Sequence, residues 1–98
     1  MNMQQMMAQA QKMKRELEKA QAALAEQEFS VSKGGAVTVI MLGNKTIKSI
    51  DIEKDALDPE NKEMIEELIA LAINEAVEKI KSEEAAINES VTGGAGMF

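Results

Sequence analysis

The chain has 98 residues, a formal net charge of −6, and neither cysteine nor histidine. The absence of both residue types excludes thiolate nucleophiles, Cys/His zinc clusters and an imidazole general base, so we expect neither an enzyme nor a metal or cofactor site. No run of about 18 apolar residues occurs, and no charged start is followed by an apolar stretch, so neither a transmembrane helix nor a signal peptide is predicted. We expect a cytoplasmic, single-domain protein with a modest core.

The first segment has the apolar spacing of a helix that packs along a seam. Its apolar residues are separated alternately by three and four positions, and they are Met3, Met6, Ala10, Met13, Leu17, Ala20 and Leu24. We predict a helix from about Asn2 to Gln27, roughly 39 Å long, with one end projecting from the body. The pattern leaves open whether the seam meets the chain's own second helix, a partner's first helix, or both.

A period of two replaces the helical period after Gln27. Phe29 and Val31 alternate with serines, Lys33-Gly34-Gly35 predicts a turn, and residues 36–42 predict a central strand that is apolar on both faces. Gly43-Asn44 predicts a two-residue hairpin turn. Residues 45–53 predict a third strand, with a bulge near Lys48-Ser49 because Ile47 is out of phase with Ile50 and Ile52.

A second helix is predicted from Asp58, its N-cap, to Lys81, with Pro59 in the first turn. Its apolar stripe is wider than one sheet face requires, so we expect it to pack both on its own sheet and on a second copy of the chain. The predicted dimer contacts are Met64, Leu68, Leu71 and Ile73 of this helix with Val39 and Met41 of the central strand. The fold class is therefore α+β, in the order helix, three antiparallel strands, helix.

Charge is distributed unevenly along the chain. Residues 1–28 have a net charge of zero, residues 29–50 have +3, and residues 51–98 have −9. After Lys81 the apolar pattern loosens, and the glycines at 93–96 have the composition of a mobile tail.

Four segments together resemble one known family. They are MAQAQKMKREL near the N-terminus, GGAVTV in the central strand, Ser49-Ile50-Asp51-Ile52 with Leu57-Asp58-Pro59, and KEMIEELIALAINEAVEKI in the second helix. In this order they are similar to the YbaB/EbfC family of small bacterial nucleoid-associated proteins, with a domain at 1–92 and a flexible tail at 93–98. Only Ser30-Val31-Ser32-Lys33 departs, since the family is more glycine-rich there.

The resemblance implies a homodimer whose first helices project like tweezers and bind duplex DNA on the nucleoid with little sequence preference. No membrane or small-molecule partner is expected. The expected DNA contacts are the cations outside the seam, Lys12, Lys14, Arg15 and Lys19, with Lys79 and Lys81 as helpers. Because Phe29 and Phe98 are the only aromatic residues, no base stacking is expected.

A second interpretation uses the methionines instead of the cations. Flexible Met side chains along two helical arms also suit a clamp that grips protein partners, as in prefoldin-like chaperones. The acidic net charge is no obstacle to that function. The two hypotheses differ in whether Lys14 and Arg15, or Met3, Met6 and Met7, are needed for binding.

Overall fold

In the computed structural model, which describes residues 2–96, one long helix precedes a three-stranded antiparallel sheet in the chain and a second long helix follows it. The elements are α1 (Met3–Glu26), β1 (Glu28–Lys33), β2 (Val37–Leu42), β3 (Ile47–Ile52) and α2 (Lys62–Gly96). Two single 3-10 turns, Lys54–Ala56 and Pro59–Asn61, connect β3 to α2. This order confirms the predicted α+β fold class.

The first helix has the predicted bounds to within one residue. Its N-cap is Asn2, whose side-chain oxygen accepts a hydrogen bond from the Gln5 N–H at 2.8 Å. The radius of gyration is 19.5 Å, against about 13 Å for a compact chain of this length, and the longest dimension is 69 Å. Every residue from 2 to 12 is also exposed, which confirms the predicted projection of one end of this helix.

The sheet has β2 at its centre, as predicted, and both neighbours are antiparallel to it. Gly34 and Gly35 form the turn between β1 and β2 with φ of 61° and 63°, a region that favours glycine. On the other side, Ile40 pairs with Ser49 and Met41 pairs with Ile47, so Lys48 is an extra residue in β3. This register shift confirms the predicted bulge.

The connection between β2 and β3 differs from the prediction of a two-residue Gly-Asn turn. It covers residues 43–46, and its residue with positive φ is Lys45, at 69°. The Asn44 side chain stabilises the longer loop by accepting a hydrogen bond from the Thr46 N–H at 2.9 Å. Gly43 instead lies against the end of α1, which explains why a glycine is needed there.

The second helix begins at Lys62, three residues after the predicted first position, because Pro59–Asn61 form a 3-10 turn, and it ends much later than predicted. Asp58 caps the turn that leads into it, accepting from the Glu60 N–H at 2.9 Å, with Pro59 next. The prediction that the helix ends near Lys81 was wrong, because the packing stripe continues from buried Ile80 to half-buried Ile87, seven residues later. Residues 93–96 form the last helical turn, residues 97–98 lie outside the described residues, and the mobility of the tail stays a prediction.

The core lies between α2 and one face of the sheet. Ala72 and Ala76 are fully buried, and their small side chains let α2 approach β1 and β2 closely. The sheet contributes alternate residues, Phe29 and Val31 from β1 and Val37, Val39 and Met41 from β2. Val39 and Met41 are thus covered by their own chain, whereas the sequence prediction placed them at a contact with a second copy. None of the described helices is long and apolar enough to cross a membrane.

Candidate nucleic-acid interface

The first helix, which we call the arm, is covered along only half of its seam. Met13, Leu17 and Ala20 are half-buried and Leu24 is buried, whereas every residue from 2 to 12 is exposed. The covered half packs against α2 of the same chain. For residues 13–24 the seam therefore meets the chain's own second helix, and an additional contact with a partner's first helix stays a prediction.

The base of the arm rests on the connection between β2 and β3. The N–H groups of Gly43 and Asn44 donate to the carbonyl oxygens of Gln27 and Ala25, at 2.9 and 3.2 Å. Carbonyls at a helix C-terminus have no partner within the helix, so these two hydrogen bonds satisfy groups that would otherwise be unpaired. They also fix the direction in which the arm leaves the sheet.

The arm and the C-terminal half of α2 lie side by side above this connection. A cavity of about 330 Å³ lies at their junction, with Gln21 and Leu24 of the arm on one wall and Glu84 and Asn88 of α2 on another. Because the arm leads towards the sheet and this half of α2 leads away from it, the two helices are antiparallel. The long extension of α2 therefore supports the arm.

The cations predicted to contact DNA on the arm are all exposed: Lys12, Lys14, Arg15 and Lys19. None of the four has an ion pair with another described residue. Lys12, Arg15 and Lys19 are spaced by three and four residues, which places them on one helix face. Leu17 is two residues from both Arg15 and Lys19, roughly 160° around the helix, so this basic face points away from α2.

The three lysines in the segment of net charge +3 are neutralised by acids of the same chain. Lys33 pairs with Glu75 at 2.6 Å, Lys45 with Glu84 at 3.4 Å, and Lys48 with Glu28 at 2.5 Å. Sequence analysis missed these pairs because the partners are 20 to 42 residues apart in the chain. These pairs reduce the positive charge that this segment presents to a polyanion.

The predicted helpers on α2 also lie near acids, although the acid near Lys79 is Glu75, which Lys33 already contacts at 2.6 Å. Lys79 lies 4.0 Å from Glu75, and Lys81 lies 3.7 Å from Glu78. Lys62 likewise pairs with Glu66, so within residues 2–96 the unpaired cations are the four on the arm and Lys54. The structure thus concentrates available positive charge on one projecting helix.

This arrangement suits contacts to phosphates rather than to bases. Lysine and arginine on an exposed helix face can each approach a backbone phosphate, and such contacts position a protein without reading sequence. Phe29 is buried in the core, so it cannot stack on a base, and Phe98 lies outside the described residues. Neither aromatic residue is therefore seen on the exposed surface of the arm.

The apolar residues predicted to contact a second copy lie on both flanks of α2. Leu68 lies against Gly34, and Glu75 pairs with Lys33, so this flank is on the side of β1. Exposed Met64 and Leu71 follow the same line as Leu68, at four- and three-residue steps. Half-buried Ile73, two residues before Glu75, is on the opposite flank, on the side of β3.

Sequence analysis missed a further apolar surface, on β3. Ile50 pairs with Val39, so both side chains lie on the sheet face that α2 covers, yet Ile50 is 44% exposed and Val39 is fully buried. Ile47 is exposed next to it. The alternation of Ile50 and Ile52 indicated this face, but only the structure shows that α2 covers β1 and β2 and leaves β3 open.

Comparison with known proteins agrees with the resemblance in the sequence. The model of the YbaB/EbfC DNA-binding family matches residues 1–95. A nucleoid-associated protein of Clostridium novyi (strain NT) is 45% identical over 98 residues, covering 99% of this chain and 86% of that protein. One from Enterococcus faecalis (strain ATCC 700802 / V583) is 42% identical over 94 residues, covering 95% and 90% of the two chains. The chain belongs to the YbaB/EbfC DNA-binding family.

Proposed function

We propose that this protein binds duplex DNA as a homodimer with little sequence preference, through the basic face of its two arms. The observation that carries the proposal is that four of the five cations without an ion pair in the described part of the chain lie on the arm. The relatives named nucleoid-associated proteins support a location on the bacterial nucleoid, in the cytoplasm. A binding role of this kind requires no catalytic residue, metal or cofactor.

The acidic part of the chain determines which surface faces the DNA. Residues 51–98 have a net charge of −9, and within α2 the exposed carboxylates include Glu63, Glu66, Glu67 and Glu78. Phosphates are repelled from this surface and attracted to the basic face of the arm. DNA therefore contacts the arms and stays away from the exposed surface of α2.

Few phosphate contacts are available, so binding is modest and depends strongly on salt. Lys12, Arg15 and Lys19 supply about three contacts per arm, and a dimer about six. With a slope near 0.9 per phosphate contact, the logarithm of the binding constant falls by about 5 for each tenfold increase in salt. Lys14 lies on another face of the helix, so it increases the electrostatic attraction of the arm to DNA but is not counted among these phosphate contacts.

The proposed dimer forms through the open side of the sheet. Ile47 and Ile50 of β3 and Ile73 of α2 leave an apolar strip next to the core, and β3 is an edge strand. Isolated edge strands with exposed apolar residues readily take a partner. A second copy covering this strip would extend the core across both chains and hold two arms in one particle.

A protein-binding clamp is the second candidate, favoured by the exposure of Met3, Met6 and Met7 at the arm's free end. It predicts that substitution of these methionines abolishes partner binding, while replacement of Lys14 and Arg15 by Glu leaves it unchanged. If the basic face binds DNA, replacement of Lys14 and Arg15 by Glu abolishes DNA binding, and substitution of the methionines leaves the DNA affinity unchanged. The membership of a DNA-binding family favours the first function.

The test is a gel-shift or anisotropy titration with two duplexes of unrelated sequence at two salt concentrations. We expect similar affinities for the two duplexes and a loss of about tenfold or more when salt is doubled or tripled. No binding at low salt, or binding that ignores salt, would contradict the proposal.

A further inference from the structure

The free end of the arm has an apolar face that nothing in the described structure covers. The tip, which we define as residues 2–11, includes Met3, Met6 and Met7, which are 78%, 55% and 59% exposed. With Ala10 they are spaced as i, i+3, i+4 and i+7, so they share one face of the helix. We propose that this face pairs with the same face of a second copy of the chain.

The first support is that the tip continues a helix-pairing stripe already in use. Met13, Leu17 and Ala20 belong to the same seam of three- and four-residue steps, and they are half-buried on the helix that contacts α2. Such spacing is the pattern by which one helix packs along another. Met13 is the first half-buried residue of the seam, and residues 2–12 are exposed. The tip therefore has the apolar spacing that suits a helical partner, but no described residue of its own chain covers it.

The second support is charge. Every side chain from Asn2 to Gln11 is uncharged, in a chain whose net charge is −6. Two copies repel each other over most of their surfaces, but two tips meet without like charges facing each other. A second tip is therefore a suitable partner. It is a helix with the same row of methionines, and pairing two tips buries no charged side chain.

The two tips would pair in an antiparallel arrangement centred between Met6 and Met7, which places Met3 of one copy opposite Ala10 of the other. This orientation keeps the two acidic bodies at opposite ends and separates the positive ends of the two helix dipoles. The interface is small and would be weak in dilute solution. It is distinct from the proposed contact through β3, and it would link particles that the β3 contact has already formed.

The absence of cysteine makes a direct test available. Met6→Cys places a single thiol on the proposed pairing face, and Ala8→Cys places one on the opposite, exposed face of the same helix. Under mild oxidation at micromolar concentration, we expect disulfide-linked pairs to form at least tenfold faster for Met6→Cys. Equal rates for the two variants would overturn the proposal.

A second pair of variants tests the same face without a new covalent bond. Met3→Glu/Met6→Glu/Met7→Glu adds three charges to the pairing face, and Gln4→Glu/Gln5→Glu/Ala8→Glu adds the same three to the opposite face. We expect the first variant alone to lower the average mass at high protein concentration, measured by sedimentation. If both variants retain the wild-type mass, or both lose it equally, the tips do not pair.

These experiments are independent of the proposed DNA binding and of the contact through β3. Lys12→Gln/Arg15→Gln is expected to weaken DNA binding and leave the rate of Met6→Cys disulfide formation unchanged. A tip that pairs in a protein that fails to bind DNA would refute the proposed function only. DNA binding without any difference between the two cysteine variants would refute the tip contact only.

Discussion

Gly43 and Leu24 are in direct backbone contact, with no room for a side chain between them. A Cβ added to Gly43 would overlap the carbonyl oxygen of Leu24 and lie 2.6 Å from its carbonyl carbon. The neighbouring hydrogen bond from the Gly43 N–H to Gln27 holds the two segments together. The direction of the arm is therefore fixed by a contact between main chains, which cannot yield as a flexible side chain can.

The first prediction concerns this contact. Gly43→Ala is expected to lower the free energy of unfolding by about 1–3 kcal/mol, the usual range when atoms are forced into a packed site, because the arm must move away from the hairpin. Urea denaturation followed by circular dichroism measures the change.

Gly35→Asn is the matched control, because no atom lies within 4 Å of an added Cβ there and asparagine tolerates the positive φ of 63°. We expect a much smaller loss for this variant. Equal stability of Gly43→Ala and wild type would show that the arm is not fixed at this point.

The second prediction concerns pH. The hydrogen bond from Lys33 is the main cause that lowers the pKa of Glu75 below its ordinary value of 4.5. Burial opposes this lowering, and the charges of Lys33 and Lys79 add to it. Because the folded state favours the ionised carboxylate, the pair stabilises the fold at neutral pH, and this stabilisation is lost as the pH falls from about 4.5 through the lowered pKa.

Glu75→Gln removes this effect and isolates it from other titrating groups. We expect wild type to be the more stable of the two at pH 7, with the difference shrinking as the pH falls below 4.5. Urea denaturation of both proteins between pH 7 and pH 3 tests this. A difference that stays constant over that range would mean that the ion pair between Lys33 and Glu75 has no influence on stability.

The third prediction concerns the proposed dimer. Ile50→Lys places a charge in the apolar strip on β3 and is expected to raise the dimer dissociation constant at least roughly tenfold, since a charge buried without a partner is strongly unfavourable. Ser49→Lys is the control, because Ser49 is also exposed and its side chain points to the other face of the sheet.

Mass in solution distinguishes these outcomes. If both lysine variants remain dimeric at the lowest concentrations, the contact does not involve β3. Leu71→Lys, measured in parallel, tests the sequence-based prediction that the other flank of α2, with Met64 and Leu68, contacts the second copy. A wild-type protein that is a monomer at micromolar concentration would contradict both versions of the dimer.

Local patterns predicted most of the fold because their causes are local. The steps of three and four residues predicted the first helix, and Asp58 with Pro59 predicted the capped turn that leads into the second. The phase change at Ile47 gave the bulge at Lys48. Each of these features depends on residues within one or two turns, or within one strand, of each other.

The features that the sequence did not predict depend on contacts between distant segments. The pairing of Lys33 with Glu75 spans 42 residues, and the contact of Gly43 with Leu24 joins a hairpin to a helix end. Charge counts placed +3 on residues 29–50, but they could not show that all three lysines have acidic partners. The heptad pattern placed the four arm cations outside the seam, and the structure shows that they are exposed. The reason to prefer them over the other cations emerged only from the pairing of the others, and their contact with DNA stays a prediction.

The central claim is that the unpaired cations of the arm, and not positive charge in general, bind DNA. Lys12→Gln/Arg15→Gln and Lys54→Gln/Lys62→Gln remove the same two charges, from the arm and from the body respectively. The direct measurement is DNA affinity of both variants and wild type over a series of salt concentrations. The account predicts that the arm variant alone binds about tenfold or more weakly at low salt, with a salt slope reduced by about 2 per copy. Equal weakening by the two variants, or no change in either, would contradict it.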